Sequence, residues 1–292
     1  MQISPINRLN YCYKPIPPKN PINFCRWENK CRGEKIDPSS IESWAVLNAT
    51  KDKVLNRHIS FFFRDDIDWS GFGKYLKDKF SNTPKVNSYI WGCSEGQEAY
   101  SFSMLLVNVF KDEKSKFLPI RAMDIVPSMI IENNLKKDKG YQVSESVFFK
   151  IKQALDIKND DVWELIDVFM PHCRQTNIKK TVTDGVEFSC SNIATDLDKI
   201  DSKNPSIVMC RNLWPYINVK KYDECAQNLY NNLKKGSIVV LGNFDIEGEP
   251  YLKGSNSFKD SLIKFGFKPV DLVKRGYSKH QDFDKPILIY EK

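Results

Sequence analysis

The 292-residue chain carries 44 Lys and Arg against 37 Asp and Glu, a formal charge of +7, and 41% of its residues are hydrophobic. With 12% aromatic residues and only 13 glycines, burial of apolar surface can offset the entropy of ordering, which excludes a disordered or low-complexity chain. No run approaches the ~18 consecutive apolar residues of a spanning helix, since residues 102–110 are broken by Ser103 and Asn108. Residues 1–5 have neither the basic start nor the apolar stretch of a secretory leader, so a cytoplasmic protein is expected.

In chain order, residues 1–57 come first and hold ten Lys/Arg against five Asp/Glu, most of the positive excess. Six of the fifteen prolines lie in the first 38 residues, including Pro15-Ile16-Pro17-Pro18, which predicts an extended basic arm rather than a helix. The rest, residues 58–292, is expected to be one domain. Residues 88–93 read as a short apolar strand, followed by a glycine-containing turn and a helix over 98–110 with apolar residues at helical spacing. A second strand is expected at 118–123, then a helix with Met129, Ile130, Ile131 and Leu135 on one side.

Between Tyr141 and Gly185 the apolar spacing over 147–155 and 161–169 predicts a helical insertion, taken as residues 142–185. It is expected to form a lid or a wall at the ligand edge. Further strands are expected at 186–190, 206–210, 238–241 and 287–290, with a helix over 222–233. Strands alternating with helices argue for an α/β fold, a mostly parallel sheet with helices on both faces.

The eight cysteines are read as mostly buried small residues with free thiols. Cys12, Cys25 and Cys31 have no histidine nearby, so no metal is expected. His172 and His280 have no partner signal and are read as surface or packing residues.

In such a sheet, ligands bind beyond the carboxyl ends of the strands, where the strand order reverses. After the first strand stands Gly92-Cys93-Ser94-Glu95-Gly96, whose two glycines let backbone approach a ligand before a helix N-terminus. After the second stands Asp124, placed to accept hydrogen bonds from ribose hydroxyls. Together they point to a nucleoside-bearing cofactor without naming it, since neither a GxGxxG nor a Walker sequence is present.

Ser60-Phe61-Phe62-Phe63-Arg64-Asp65, the segment 92–101, Asp124, Asn192-Ile193 and the segment 210–216 (Cys-Arg-Asn-Leu-Trp-Pro-Tyr) resemble, in order, the motifs of CheR-type methyltransferases. Those enzymes esterify glutamates of chemotaxis receptors with S-adenosylmethionine, leaving S-adenosylhomocysteine. The resemblance spans residues 58 to about 245. It implies a Rossmann-like class I methyltransferase domain with a seven-stranded sheet and one antiparallel strand near the C-terminus.

The resemblance also implies roles. His58, Ser60 and Arg64 would line the cofactor and active site, where the family has Asn, Thr and Arg. Gly92, Cys93 and Gly96 would form the cofactor turn, with Glu98 helping to hold the cofactor. Asp124 would take the ribose, Asn192 and Ile193 would lie beside the adenine, and Arg211 and Asn212 would sit under the methionine moiety. Arg64 and Tyr216 would be the catalytic pair. Phe61, Phe62 and Phe63 are read as core.

Trp214-Pro215 replaces two aliphatic residues of the family, and Pro215 predicts an extended Trp214. The acceptor implied is a protein glutamate. A small molecule, an RNA contacted by the basic arm, or a cofactor-binding module without turnover are the other readings.

Overall fold

The computed structural model describes residues 60–170, 172–247, 257–278 and 286–292. The arm over 1–57, His58 and His280 lie outside the described residues. The first element among the described residues is helix α1 (Trp69–Phe80), which the sequence reading did not anticipate. Asp68 caps it by accepting the Gly71 N–H at 2.9 Å. Its buried side chains Trp69, Phe72, Leu76 and Phe80 recur at three- and four-residue spacing, one stripe facing the core.

Five strands form the parallel centre: β1 (Asn87–Trp91), β2 (Ile120–Asp124), β5 (Val186–Cys190), β6 (Ser206–Met209) and β7 (Ile238–Val240). Two further strands close the edge, β8 (Lys268–Val270) and β9 (Ile289–Glu291). The order is β5-β2-β1-β6-β7-β9-β8, with β9 antiparallel to both neighbours. This is the seven-stranded arrangement with one reversed strand that the resemblance implies. Strand β8 is the one missing from the sequence reading, for Lys268-Pro269-Val270 is three residues long and offers no alternation.

Side chains alternate across the sheet and sort into two hydrophobic cores. Ile90, Ile207, Met209, Ile238 and Val240 belong to one, while Tyr89, Trp91, Val208 and Val239 belong to the other. Strands buried on both faces read as continuous apolar runs, which is why β6 and β7 are legible. The first core is covered by α1, by α2 (Gln97–Phe110) and by the insertion. The second is covered by α7 (Tyr222–Asn232) and α9 (Phe258–Lys264).

Two expectations change here. In α3 (Pro127–Lys139) the buried residues are Ile130 and Asn133, while Ile131 and Leu135 are half exposed. Only Ile130 of the expected apolar side is buried, in the first core, while Asn133 turns inward to bond the Ser94 carbonyl. The insertion contains a hairpin, β3 (Gln142–Ser144) paired with β4 (Gln175–Asn177). Between them run α4 (Glu145–Leu155) and a single turn α5 (Asn159–Val162); a four-residue α6 (Lys180–Thr183) follows β4. The helix expected over 161–169 is thus reduced to turns, although Leu165 and Ile166 still reach the first core. Phe148, Ile151 and Leu155 of α4 join that core too, so α4 is packed against the body of the domain.

Candidate active site

The chain runs from β1 to β2 and β5 on one side, then returns to β6 and β7 on the other, so the order reverses between β1 and β6. The turns leaving these two strands therefore face one crevice. The turn after β1 extends the ladder by one bond, Cys93 N–H to Met123 carbonyl at 3.0 Å, and closes with Gly96 N–H to Cys93 carbonyl at 2.8 Å. Gly92 and Gly96 have φ of +71° and +86°, and a Cβ on Gly96 would meet the Phe188 ring at 3.1 Å. Glycine is required at both; Gly92 is exposed at the carboxyl edge and Gly96 is buried.

Asp124 ends β2 and is buried. Its carboxylate accepts the Ser94 N–H at 2.9 Å and the Val126 N–H at 3.0 Å, tying the glycine turn to β2. Asn133, missed by the sequence reading, donates to the Ser94 carbonyl at 2.6 Å from the buried face of α3. Cys93 is fully buried and burial pushes its thiol well up, so it is a neutral space-filler.

After β5, Asn192 accepts the Ala194 N–H at 3.0 Å, and Asp196 accepts from the Asn192 N–H at 3.1 Å and from Ser191 at 2.7 Å. Ile193 packs in the second core beside Trp91 and Met123. After β6 the guanidinium of Arg211, 1% exposed, lies between two carboxylates, Asp66 and Glu98, the latter at 3.2 Å. It also lies 5.3 Å from the Trp69 ring centroid. Burial raises the Glu98 carboxyl above its usual value, outweighing the Arg211 guanidinium that lowers it. Asp66 went unnoticed in the sequence, and it binds Arg211 to the 60–66 segment.

That segment carries Arg64, half-buried, with its carbonyl accepting the Trp69 indole N–H at 2.9 Å. Phe63, at φ of +45°, donates its N–H to Ser101 at 2.9 Å. Phe62 and Phe63 are core as expected, but Phe61 is 53% exposed. The Arg64 Cζ lies 5.8 Å from the Phe61 ring centroid and the Lys150 Nζ of α4 lies 5.4 Å from it. Ser60 is half-buried at the start of the same segment.

Asn212 sits at φ of +55° and Trp214 opens a 3-10 turn through Tyr216. Trp214 is therefore not extended as Pro215 predicts; Leu213 enters the turn and Pro215 occupies an early position where its missing N–H costs nothing. Trp214 is fully buried, stacked on Phe258 and donating to Cys210 Sγ at 3.4 Å. Tyr216, read as catalytic, is 45% exposed rather than packed. The expected residues after β1, β2, β5 and β6 thus gather at one sheet edge, and the glycine turn and the buried carboxylate of Asp124 fit a nucleoside-bearing cofactor.

Among the described residues no three His, Cys, Asp or Glu gather into a metal-binding set, and no helix is long and apolar enough to cross a membrane.

The chain is similar to the "Chemotaxis protein methyltransferase" of Borreliella burgdorferi, 24% identical over 201 residues and covering 65% of each chain. It is similar to the protein of that name from Listeria monocytogenes, at 19% identity over 68% of this chain and 69% of the other. The first of these matches thus spans slightly less than two thirds of the relative. A TehB-like SAM-dependent methyltransferase structure from Corynebacterium glutamicum superposes with a TM-score of 0.40 at 9% identity, over 86% of this chain and 97% of that one. The profile described as "CheR methyltransferase, SAM binding domain" matches residues 58–246. With the seven-stranded sheet and the crevice at its switch point, that match over more than half of its length makes the chain a member of the CheR methyltransferase family through its S-adenosylmethionine-binding domain.

Proposed function

We propose that the protein transfers a methyl group from S-adenosylmethionine to a carboxylate oxygen, with a protein glutamate side chain as the acceptor. The observation that carries this reading is the exposed Phe61 ring flanked by two cations, Arg64 and Lys150. An acidic acceptor complements that charge. The family and the relatives named chemotaxis protein methyltransferases support methyl transfer to a protein, and the resemblance to glutamate-esterifying enzymes supports glutamate.

The bound cofactor supplies a methyl group on a positive sulfonium that is displaced in line. A carboxylate, with an unperturbed pKa of about 4.3, is already ionised at neutral pH and needs no general base. What it needs is orientation, worth up to ~7–11 kcal/mol when the reacting atoms are held aligned. Arg64 can orient it by a two-pronged guanidinium fork and Tyr216 by its hydroxyl. Asp124 would hold the ribose hydroxyls, and Gly92, Cys93 and Gly96 would carry the backbone against the cofactor. Ser60, Glu98, Asn192, Ile193 and Asn212 would complete the pocket with His58, while Arg211 would act by holding Glu98 in place.

The test is transfer of labelled methyl from S-adenosylmethionine to a glutamate-rich protein, followed by alkali. A carboxyl ester releases its label as volatile methanol, the expected result. Base-stable label, or label found in RNA, would replace the acceptor assignment.

A further inference from the structure

Asp245 lies in a region from which the sequence reading drew no role. It is 2% exposed in α8 (Asn243–Glu247), immediately after β7. One carboxylate oxygen accepts the Asn212 N–H at 2.5 Å and the Gly242 N–H at 2.7 Å; the other accepts the Trp214 N–H at 2.9 Å. The Leu213 amide acts on the same carboxylate. Asn212 returns the contact, its side-chain oxygen accepting the Phe244 N–H at 3.2 Å. The two loops leaving β6 and β7 are thus clasped, so closely that a Cβ on Gly242 would fall 2.4 Å from the Asn212 side chain. Tyr216 stands two residues beyond Trp214 in the same turn, its N–H donated to the Leu213 carbonyl at 3.0 Å.

We propose that Asp245 is a positioning residue for methyl transfer, its carboxylate holding the 211–216 turn so that Asn212 meets the cofactor and Tyr216 meets the acceptor. This rests on the function proposed above. Clustered amides are the natural partners of an anion, whereas a proton on either oxygen would face a donor. Among the described residues no Lys, Arg or His pairs with Asp245. Burial without a counter-ion therefore opposes the amides and lifts the carboxyl to about 7. From β6, the group that senses it is the Cys210 thiol, pushed far up by burial and so neutral. From α7, the Tyr222 hydroxyl donates to the Trp214 carbonyl at 2.6 Å, and from α9 Phe258 presents only a ring. Binding that needs the clasped turn thus needs the ionised carboxyl, and must drive a proton off near neutrality.

Calorimetric titration of the full chain with S-adenosylhomocysteine between pH 6 and 8, in buffers of different ionisation heat, tests this. Affinity should rise by about tenfold across that range, with release of a fraction of a proton near pH 7. Asp245→Asn should lose the proton release, bind at least about tenfold more weakly at pH 8 and lower kcat. Should that variant fail to fold, the wild-type protein labelled with 13C-aspartate serves instead. Its infrared difference spectrum on binding should convert a protonated carboxyl band into a carboxylate band, which a histidine cannot do. Binding that is independent of pH, an unchanged carboxyl spectrum, or an Asn variant with wild-type kcat and pH profile would each overturn the positioning role alone. Absence of binding at every pH would overturn the cofactor reading and the positioning role with it.

Discussion

Arg211 and Asp66 stand 145 residues apart in the chain and form a buried ion pair. The pair joins the turn after β6 to the segment that carries Arg64, and Glu98 meets the same guanidinium from the start of α2. A contact between two loops thus ties together the segments that carry the two expected catalytic side chains, Arg64 and Tyr216. Breaking it should loosen both. Replacing Asp66 with Ala leaves Arg211 with Glu98 alone, and urea unfolding should show a loss of about 1–3 kcal/mol. Turnover should fall more than that loss of stability accounts for when measured at a temperature where the variant is folded.

Asp124 has one job seen in the structure and one proposed for it, and one substitution can separate them. Its carboxylate holds two backbone amides, and it is proposed to take the ribose hydroxyls. Asp124→Asn keeps one good acceptor, so stability should drop by about 1–3 kcal/mol, while S-adenosylhomocysteine affinity falls beyond detection. Saturating ligand at about 100 times Kd stabilises a binding-competent chain by roughly 2.7 kcal/mol. The wild-type melt should therefore shift upward with ligand and the variant's should not.

Arg64 and Lys150 flank one exposed ring and should differ in effect. Arg64→Ala should cost about 2 kcal/mol in kcat/KM, a drop of ~30-fold, with little change in cofactor affinity. Lys150→Glu should raise the acceptor KM by up to about fivefold and leave kcat alone, as an exposed charge does. Equal effects of Arg64→Ala on cofactor affinity and turnover would move Arg64 out of the catalytic role.

Trp214 fills the second core at the 211–216 turn. Trp214→Ala should destabilise the fold by about 3–5 kcal/mol through loss of its stack on Phe258 and a cavity beneath the turn. A thermal melt checks this directly.

The buried Asp245 also marks the stability profile. Its carboxyl is raised from 3.8 to about 7, chiefly by burial. The folded chain thus binds more protons than the unfolded chain between those values, and this contribution to stability is full below about pH 4 and lost as pH rises through 7. Urea unfolding at pH 5 and pH 8 should show wild-type losing more stability over that interval than Asp245→Asn.

Much of this was legible because the signals are local. A β-strand buried on both faces is a short apolar run, and β6 and β7 announce themselves that way, while β5 shows instead the alternation of a strand with one open face. Gly92 and Gly96 bracket a turn whose positive φ values only glycine meets cheaply. The α3 helix shows where locality fails. Its Ile131 and Leu135 obey helical spacing yet face solvent, and Asn133, a polar residue, is buried because the Ser94 carbonyl needs a donor. The span 161–169 fails likewise, since its apolar residues reach the core from turns after α5.

The sequence by itself determined the parallel sheet, the order of motifs along its carboxyl edge and the family, because apolar periodicity and short motifs depend only on neighbours a few residues away. The tertiary structure alone decided that Arg211 is spent on Asp66 and Glu98, that Phe61 is exposed beside Lys150, and that Asp245 clasps the turn bearing Tyr216. Each of these depends on burial and on partners at least 30 residues distant. The energy of a charge, and what it can do, is set by the dielectric and the donors that folding brings around it.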